Sequence, residues 1–389
     1  MSHGSDEGAL VDDDESFSHQ IVETHARVAQ ADRSWTEKVC AMAGASDGSL
    51  SLGFGLGKYP NRGVMDAYAG VSRGIEQWTV RASRELGADG DTLAVGPIRY
   101  DVLEPMRRVR FALDSNNTQP ISFEWVFEGV VPAVLENREV HRARDGRRLD
   151  ADIARYHHIG KAHGWVNVDG ARIDFADAPW VSTRDHSWGV RYQVGVPVAD
   201  VAPVPAPTNL STTVIWSPVL MTRPDGTHYG LHTYYQRHAV DGWQRTELQG
   251  GFEHANGRRE TYAALVPELD VDPVNRRLRG GVLHATMSDG TAREMRITTL
   301  SATGFHLGAG LYFGFDGHWH GEWRGPGHLD GEYIADCTTF EAARRLHQLR
   351  DCIVRVDDPA GGGVGVGNLQ SIVAGPHPDL GLDAQSSFM

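Results

Sequence analysis

The sequence predicts an all-β fold of two antiparallel domains, and three observations carry that prediction. Short apolar and alternating runs recur between Gly, Asp and Asn punctuation along 389 residues that include 45 Gly. Three Asp-Gly turns lie between alternating runs, at Asp169-Gly170, Asp225-Gly226 and Asp289-Gly290. No long alternation of strand and helix signals occurs, which argues against a doubly wound α/β sheet.

Taken in order, residues 1–30 hold the acidic run Asp12, Asp13, Asp14 and Glu15 and read as a disordered, solvated extension. Residues 66–86 mix patterns and give no clear element. Residues 109–129 read as two strands around a polar turn, and 164–177, 212–238 and 281–300 as hairpins built on the three Asp-Gly turns. The stretch 194–211 carries four prolines and reads as an extended linker, dividing a domain at 31–200 from one at 201–350. Residues 340–350 (FEAARRLHQLR) predict a helix. Residues 351–389 read as a Gly/Pro-rich tail. The Gly-rich segments 53–60 and 361–368 lack the helix that a phosphate loop needs after it.

Composition narrows the function. Lys plus Arg is 37 and Asp plus Glu 51, a net charge of −14 with His neutral. Such a field does not attract a phosphate backbone, so no nucleic-acid partner is expected. Cys40, Cys337 and Cys352 fit no metal or redox spacing, and the odd count suits a reducing compartment. No run approaches the ~20 apolar residues that span a bilayer, and no signal peptide is evident. The chain reads as cytoplasmic, cofactor-free and of open oligomeric state.

Three constellations could carry chemistry. The hexapeptide Arg184-Asp185-His186-Ser187-Trp188-Gly189, with Arg191 beyond it, packs cations, a carboxylate and an imidazole together. On a regular strand Arg184, His186 and Trp188 share one face and Asp185 and Ser187 the other, so a direct Asp185–His186 pair would need a bulge near Gly189. Two readings stay open: a proton-handling group in a water-poor pocket, or an internal ion-pair network. The second constellation, His318, His320 and Glu322, would share a strand face with Trp319 and Trp323 opposite. That is a possible metal triad, although no metal is expected. In the third, His232, Tyr234, Gln236 and His238 share a face suited to a cavity wall. Trp165, Trp180, Trp216 and Trp243 could line such a pocket or sit in the core.

The segment from Gly164 to Arg191, GWVNVDGARIDFADAPWVSTRDHSWGVR, resembles one found in the superfamily of hydroxyneurosporene synthase (carotenoid 1,2-hydratase) and the AttH-like proteins. The resemblance is strong over about thirty residues and looser over roughly 95–345. It implies two tandem lipocalin-like (calycin-type) antiparallel β-barrels with few helices. Tocopherol cyclase and fungal lipocalin-like Diels–Alderases are more distant relatives in fold. It further implies a hydrophobic small-molecule substrate, terpenoid-, polyketide- or polyene-like, held in a barrel cavity. The chemistry expected is hydratase, dehydratase, isomerase or cyclase chemistry. The rivals are a non-catalytic carrier and a pericyclase working by shape. On this reading Asp185 donates a proton, His186 is the base or positions water, and Arg184 orients the carboxylate. Trp188, Arg191, Trp165, Trp216, His232 and Tyr234 contact the substrate.

Overall fold

A computed structural model describes residues 10, 12–17, 19, 31–87, 92–142, 148–202, 209–240 and 242–388. The first sheet curls into a half-barrel. Its central strands are Leu50–Tyr59, Trp35–Gly44, Trp180–Val190, Leu149–Val168 and Ile121–Gly129, each antiparallel to the next. The second sheet closes as an eight-stranded antiparallel barrel. Ser211–Thr222 pairs with Gly363–Ala374, and Ala292–Thr299 meets Arg350–Asp358 to complete the ring. Each barrel holds its own apolar core, and a smaller cluster around Met42, Ile159, Leu220 and Ile353 packs the two together. No helix among the described residues is long and apolar enough to cross a membrane.

The Asp-Gly signals mark real turns. Asp169 and Gly170 have φ of 51° and 80° and form a two-residue loop between paired Val168 and Ala171. Asp225-Gly226 and Asp289-Gly290 sit in five-residue loops between Thr222 and His228 and between Thr286 and Ala292. The region with mixed patterns is a hairpin, Val64–Arg73 with Glu76–Glu85.

Four expectations are corrected. The acidic run is not solvated: Asp12–Glu15 is a 3-10 turn whose Asp14 and Glu15 are buried, because Glu15 meets Arg184 inside the first barrel. Most of the remaining 1–30 extension lies outside the described residues, as do residues 203–208 of the Pro-rich linker. The Gly-rich tail in fact supplies two strands of the second barrel, with Cys352, Val354, Val356 and Leu369 in its core. Its glycines are close-approach positions: a Cβ on Gly365 would run into Met221. Gly55, in the other Gly-rich segment, likewise leaves room for the Tyr68 ring, which an added Cβ would strike. Strand Gly327–Ile334 lies within 201–350 but crosses back to pair with Glu76–Glu85 of the first sheet. The helix is shorter than its sequence pattern, Phe340–Arg345. Thr339 caps it by accepting from the Ala342 amide, and positive φ at His347 and Gln348 ends it before the strand at Arg350.

Candidate functional site

Strand alternation sets two faces of the first sheet against different surroundings. Strand Trp180–Val190 pairs on both sides without a register shift, so Gly189 introduces no bulge. Arg184, His186 and Trp188 therefore point into the first barrel, and Asp185 and Ser187 point out of it toward the second. On that outer face the register places Cys40, Asp185 and His157 in one row and Lys38, Ser187 and Arg155 in the next.

The second barrel presents a matching row. Tyr234 pairs with Trp216, Trp216 with Gln370, and Gln370 with Asp351. Between the two rows lies a cavity of about 130 Å³, roofed by Leu307, Tyr312 and Phe313. It lies between the two sheets, not inside a barrel where the sequence alone would put the ligand. Its wall joins ionisable side chains, Asp185, Arg155, Arg191 and Asp351, to the rings of Tyr68, Trp216 and Tyr234.

Its two aspartates differ in their surroundings. Burial raises the Asp185 carboxyl, while Arg155 and Arg191 pull it back down. Arg155 Nε stands 3.6 Å from Asp185 Oδ2 and also pairs with Glu136 and Glu139. Asp351 is buried, with no such cation acting on it among the described residues. Burial pushes its carboxyl up to about 7, against the amides of Gln370 and Asn368, and the charge of Asp185 adds to the rise. Gln370 Nε2 donates to Asp351 Oδ1 at 3.2 Å. Near neutral pH Asp351 thus keeps a large share of its proton, about half at pH 7, while the two arginines favour the ionised form of Asp185. Two carboxyl groups held apart in this way can serve as an acid and a base.

The inward face of the same strand is a closed network. Arg184 makes a two-pronged pair with Glu15, at 2.7 Å on each prong. Tyr100 and Tyr156 donate to the same carboxylate. His186 reaches Glu37 at 3.0 Å, and Trp188 stacks on His19 at 3.8 Å. Burial disfavours the charged His186, but Glu15 and Glu37 outweigh it and raise its affinity for the proton. The structure therefore brings Asp185, Arg191, Trp216 and Tyr234 together at the cavity. It keeps His186 and Trp188 inside the first barrel, and Arg184 reaches the cavity only from behind its wall. Trp165 lies apart, under the Arg172 guanidinium.

His232 joins a junction between the domains. His157 bonds Glu136 at 3.0 Å and, across the interface, Glu253 at 2.8 Å. His232 stacks on His157 with ring centres 3.6 Å apart, and Trp216 donates to Glu136 at 2.9 Å. Glu136, His157 and His232 carry ligand atoms within 4.8 Å of one another. Their rings lie only 22° from parallel, so the lone pairs run side by side and do not converge on one ion. Burial opposes charge on His157, but Glu253 and Glu136 hold it at about 9, and that charge with burial drives His232 down to about 3. Because its folded value exceeds the ordinary 6.5, the contribution of His157 is complete below about pH 6.5 and fades as pH rises through 9. The stability lost on His157→Gln, measured by urea unfolding, is expected to shrink across that window. A pH-independent loss would mean that the junction is held by packing alone.

The segment around His318, His320 and Glu322 is an irregular loop and not a strand, because Gly314, Gly317 and Gly321 all take positive φ. His318 bonds Glu322, whereas His320 turns to Lys38 at 2.8 Å and to Asp66. Asp351, Arg155 and Asn368 carry no signal in the sequence. Each sits among other polar residues of its strand, such as Arg350 and Arg355, Asp152 and His157, or Gln370 and Ser371, and only the pairing register shows that it faces a cavity.

Residues 10–383 match the family described as "Family of unknown function (DUF8625)". No curated protein matches significantly. Among solved structures, an AttH-type protein from Nitrosomonas europaea is 12% identical, with a TM-score of 0.50 over 87% of this chain and 91% of that one. That likeness agrees with the AttH-like resemblance and shows a shared tandem-barrel fold. Kievitone hydratase from Nectria haematococca is 10% identical, with a TM-score of 0.40 over 87% of this chain and 89% of that one. CghA is 11% identical, with a TM-score of 0.47 over 95% of each.

Proposed function

The chain belongs to the family of unknown function DUF8625, and for this member we propose an acid–base enzyme of the hydratase, dehydratase or isomerase kind, working in the cavity between the two barrels. The observation that carries the reading is the pair of unequal aspartates facing one small hollow. Asp351 serves as the proton donor and Asp185 as the base. This assignment moves the donor role from Asp185 to the carboxyl that lacks a cation. Arg155 opposes the effect of burial, favouring the ionised form of Asp185, and holds it in place. The rings of Tyr68, Trp216 and Tyr234 receive the apolar body of the substrate and keep bulk water out. Arg184, His186 and Trp188 support the strand that aims Asp185.

The test works without an identified substrate. The protein is incubated in D₂O with a mixed hydrophobic small-molecule extract, and mass gain is read by mass spectrometry. An accepted compound is expected to gain carbon-bound deuterium with wild-type protein and to stay unlabelled with the Asp185→Asn/Asp351→Asn double variant. Compounds retained without label by both proteins would instead mark a carrier.

A further inference from the structure

Three residues lining the cavity carry a buried polar atom with no partner among the described residues: Arg184, whose Nε–H lies behind the wall, and, on the cavity itself, Arg191 with its Nε–H donor and Asn368 with its Oδ1 acceptor. Burying such groups unpaired is costly, so the natural complement of the latter two is a ligand offering one acceptor and one donor. Arg155 is ion-paired with three carboxylates, whereas Arg191 acts on Asp185 and Glu139 from beyond ion-pair distance and donates to the neutral Ser187 hydroxyl at 2.7 Å. A guanidinium in that state favours negative charge developing beside it and opposes positive charge. A bare alkene protonated to a carbocation would offer Arg191 no acceptor and would be repelled by it. The room is also small. An apolar cavity of about 150 Å³ takes one benzene, so 130 Å³ admits a reacting end of about six heavy atoms.

We infer that the substrate is an α,β-unsaturated carbonyl compound, or the β-hydroxy carbonyl compound that dehydration converts into it, with its carbonyl or carboxylate oxygen on Arg191 and its hydroxyl or attacking water on Asn368. The inference rests on the acid–base reading above and deepens it. In the hydration direction Asp185 takes a proton from a water whose other hydrogen is held by Asn368 Oδ1. The water oxygen bonds to the β-carbon. The alkene electron pair shifts toward the carbonyl, giving an enolate whose oxygen accepts from Arg191 Nε–H. Asp351 delivers its carboxyl proton to the α-carbon and the carbonyl re-forms. The proton on Asp185 returns to Asp351 through solvent. One water is added, and nothing is oxidised or reduced.

The experiment uses two probes of similar size, but-2-enoate and 3-methylbut-2-en-1-ol, an alkene without a carbonyl. Binding is followed by saturation-transfer NMR and product by proton NMR in D₂O. Wild-type protein is expected to bind but-2-enoate and convert it to 3-hydroxybutanoate carrying one deuterium on the α-carbon. Arg191→Met is expected to lose at least tenfold in affinity and in kcat/KM for the enoate, and Arg191→Gln, which keeps a donor, is expected to lose less. Circular dichroism confirms that both variants are folded. Hydration of the alkenol but not the enoate would overturn this inference and leave the acid–base reading standing. Failure of both probes to bind, or enoate binding unchanged in Arg191→Met, also overturns it. Turnover that survives Asp351→Asn would overturn the acid–base reading itself.

Discussion

Replacing Asp351 with Asn is expected to abolish turnover and, at the same time, to make the folded protein more stable at pH 8. The two effects share one cause. The folded chain holds the Asp351 proton up to about pH 7, whereas an ordinary aspartate holds its own only to 3.8. Between those values the native state binds more protons than the unfolded chain, so stability falls as pH rises. About three units at 1.36 kcal/mol per unit sets an upper bound of about 4 kcal/mol for that cost. Asparagine cannot ionise and escapes it. Urea unfolding should therefore show wild type and variant nearly equal near pH 4, with the variant pulling ahead up to pH 7 and the gap constant beyond. Loss of a positioned proton donor costs on the order of 10²–10⁴ in rate. A variant less stable at every pH would mean that Asp351 is a structural hydrogen-bonding group. Stability sacrificed at a functional position is a common trade.

The second large effect belongs to the opposite face of the strand. Arg184→Met is expected to cost on the order of 3–5 kcal/mol, because it leaves the Glu15 carboxylate buried without its cation. The phenols of Tyr100 and Tyr156 remain as donors but bring no charge. Adding Glu15→Gln should recover part of the loss, a non-additivity expected of groups in direct contact. Activity per folded molecule should change little, since the guanidinium is enclosed between Phe127 and Tyr156 at ring distances of 5.3 and 5.4 Å. If Arg184→Met stayed within about 1 kcal/mol of wild type yet lost turnover, the roles assigned to the two faces would have to be exchanged.

Local chemistry made much of the architecture legible. The three Asp-Gly turns and the alternation around them placed hairpins where the register now shows them. Alternation also told which residues of 184–188 share a face, and that division separates the buried network from the cavity. It could not say which face is which. That depends on Glu15 entering the first barrel and on the second barrel packing against the outer face, neither of which leaves a local trace. Strand Gly363–Ala374 does not look like a strand in the sequence because its glycines serve close packing, not chain reversal. Asp351 is hidden for a related reason. Its partners among the described residues, Gln370 and Asn368, sit on the neighbouring strand, and Asp185, whose charge acts on it, is over 160 positions away in the chain.

The proton of Asp351 decides the proposed chemistry. Protein labelled with ¹³C at the Asp side-chain carboxyl, titrated by NMR from pH 3 to 9 beside the Asp351→Asn variant, reads that proton directly. One carboxyl resonance missing from the variant is expected to titrate near pH 7, and the Asp185 resonance to titrate above the ordinary aspartate value. A missing resonance that titrates near pH 4 would mean that the cavity holds two ordinary carboxylates and no acid, which contradicts the proposed acid–base pair.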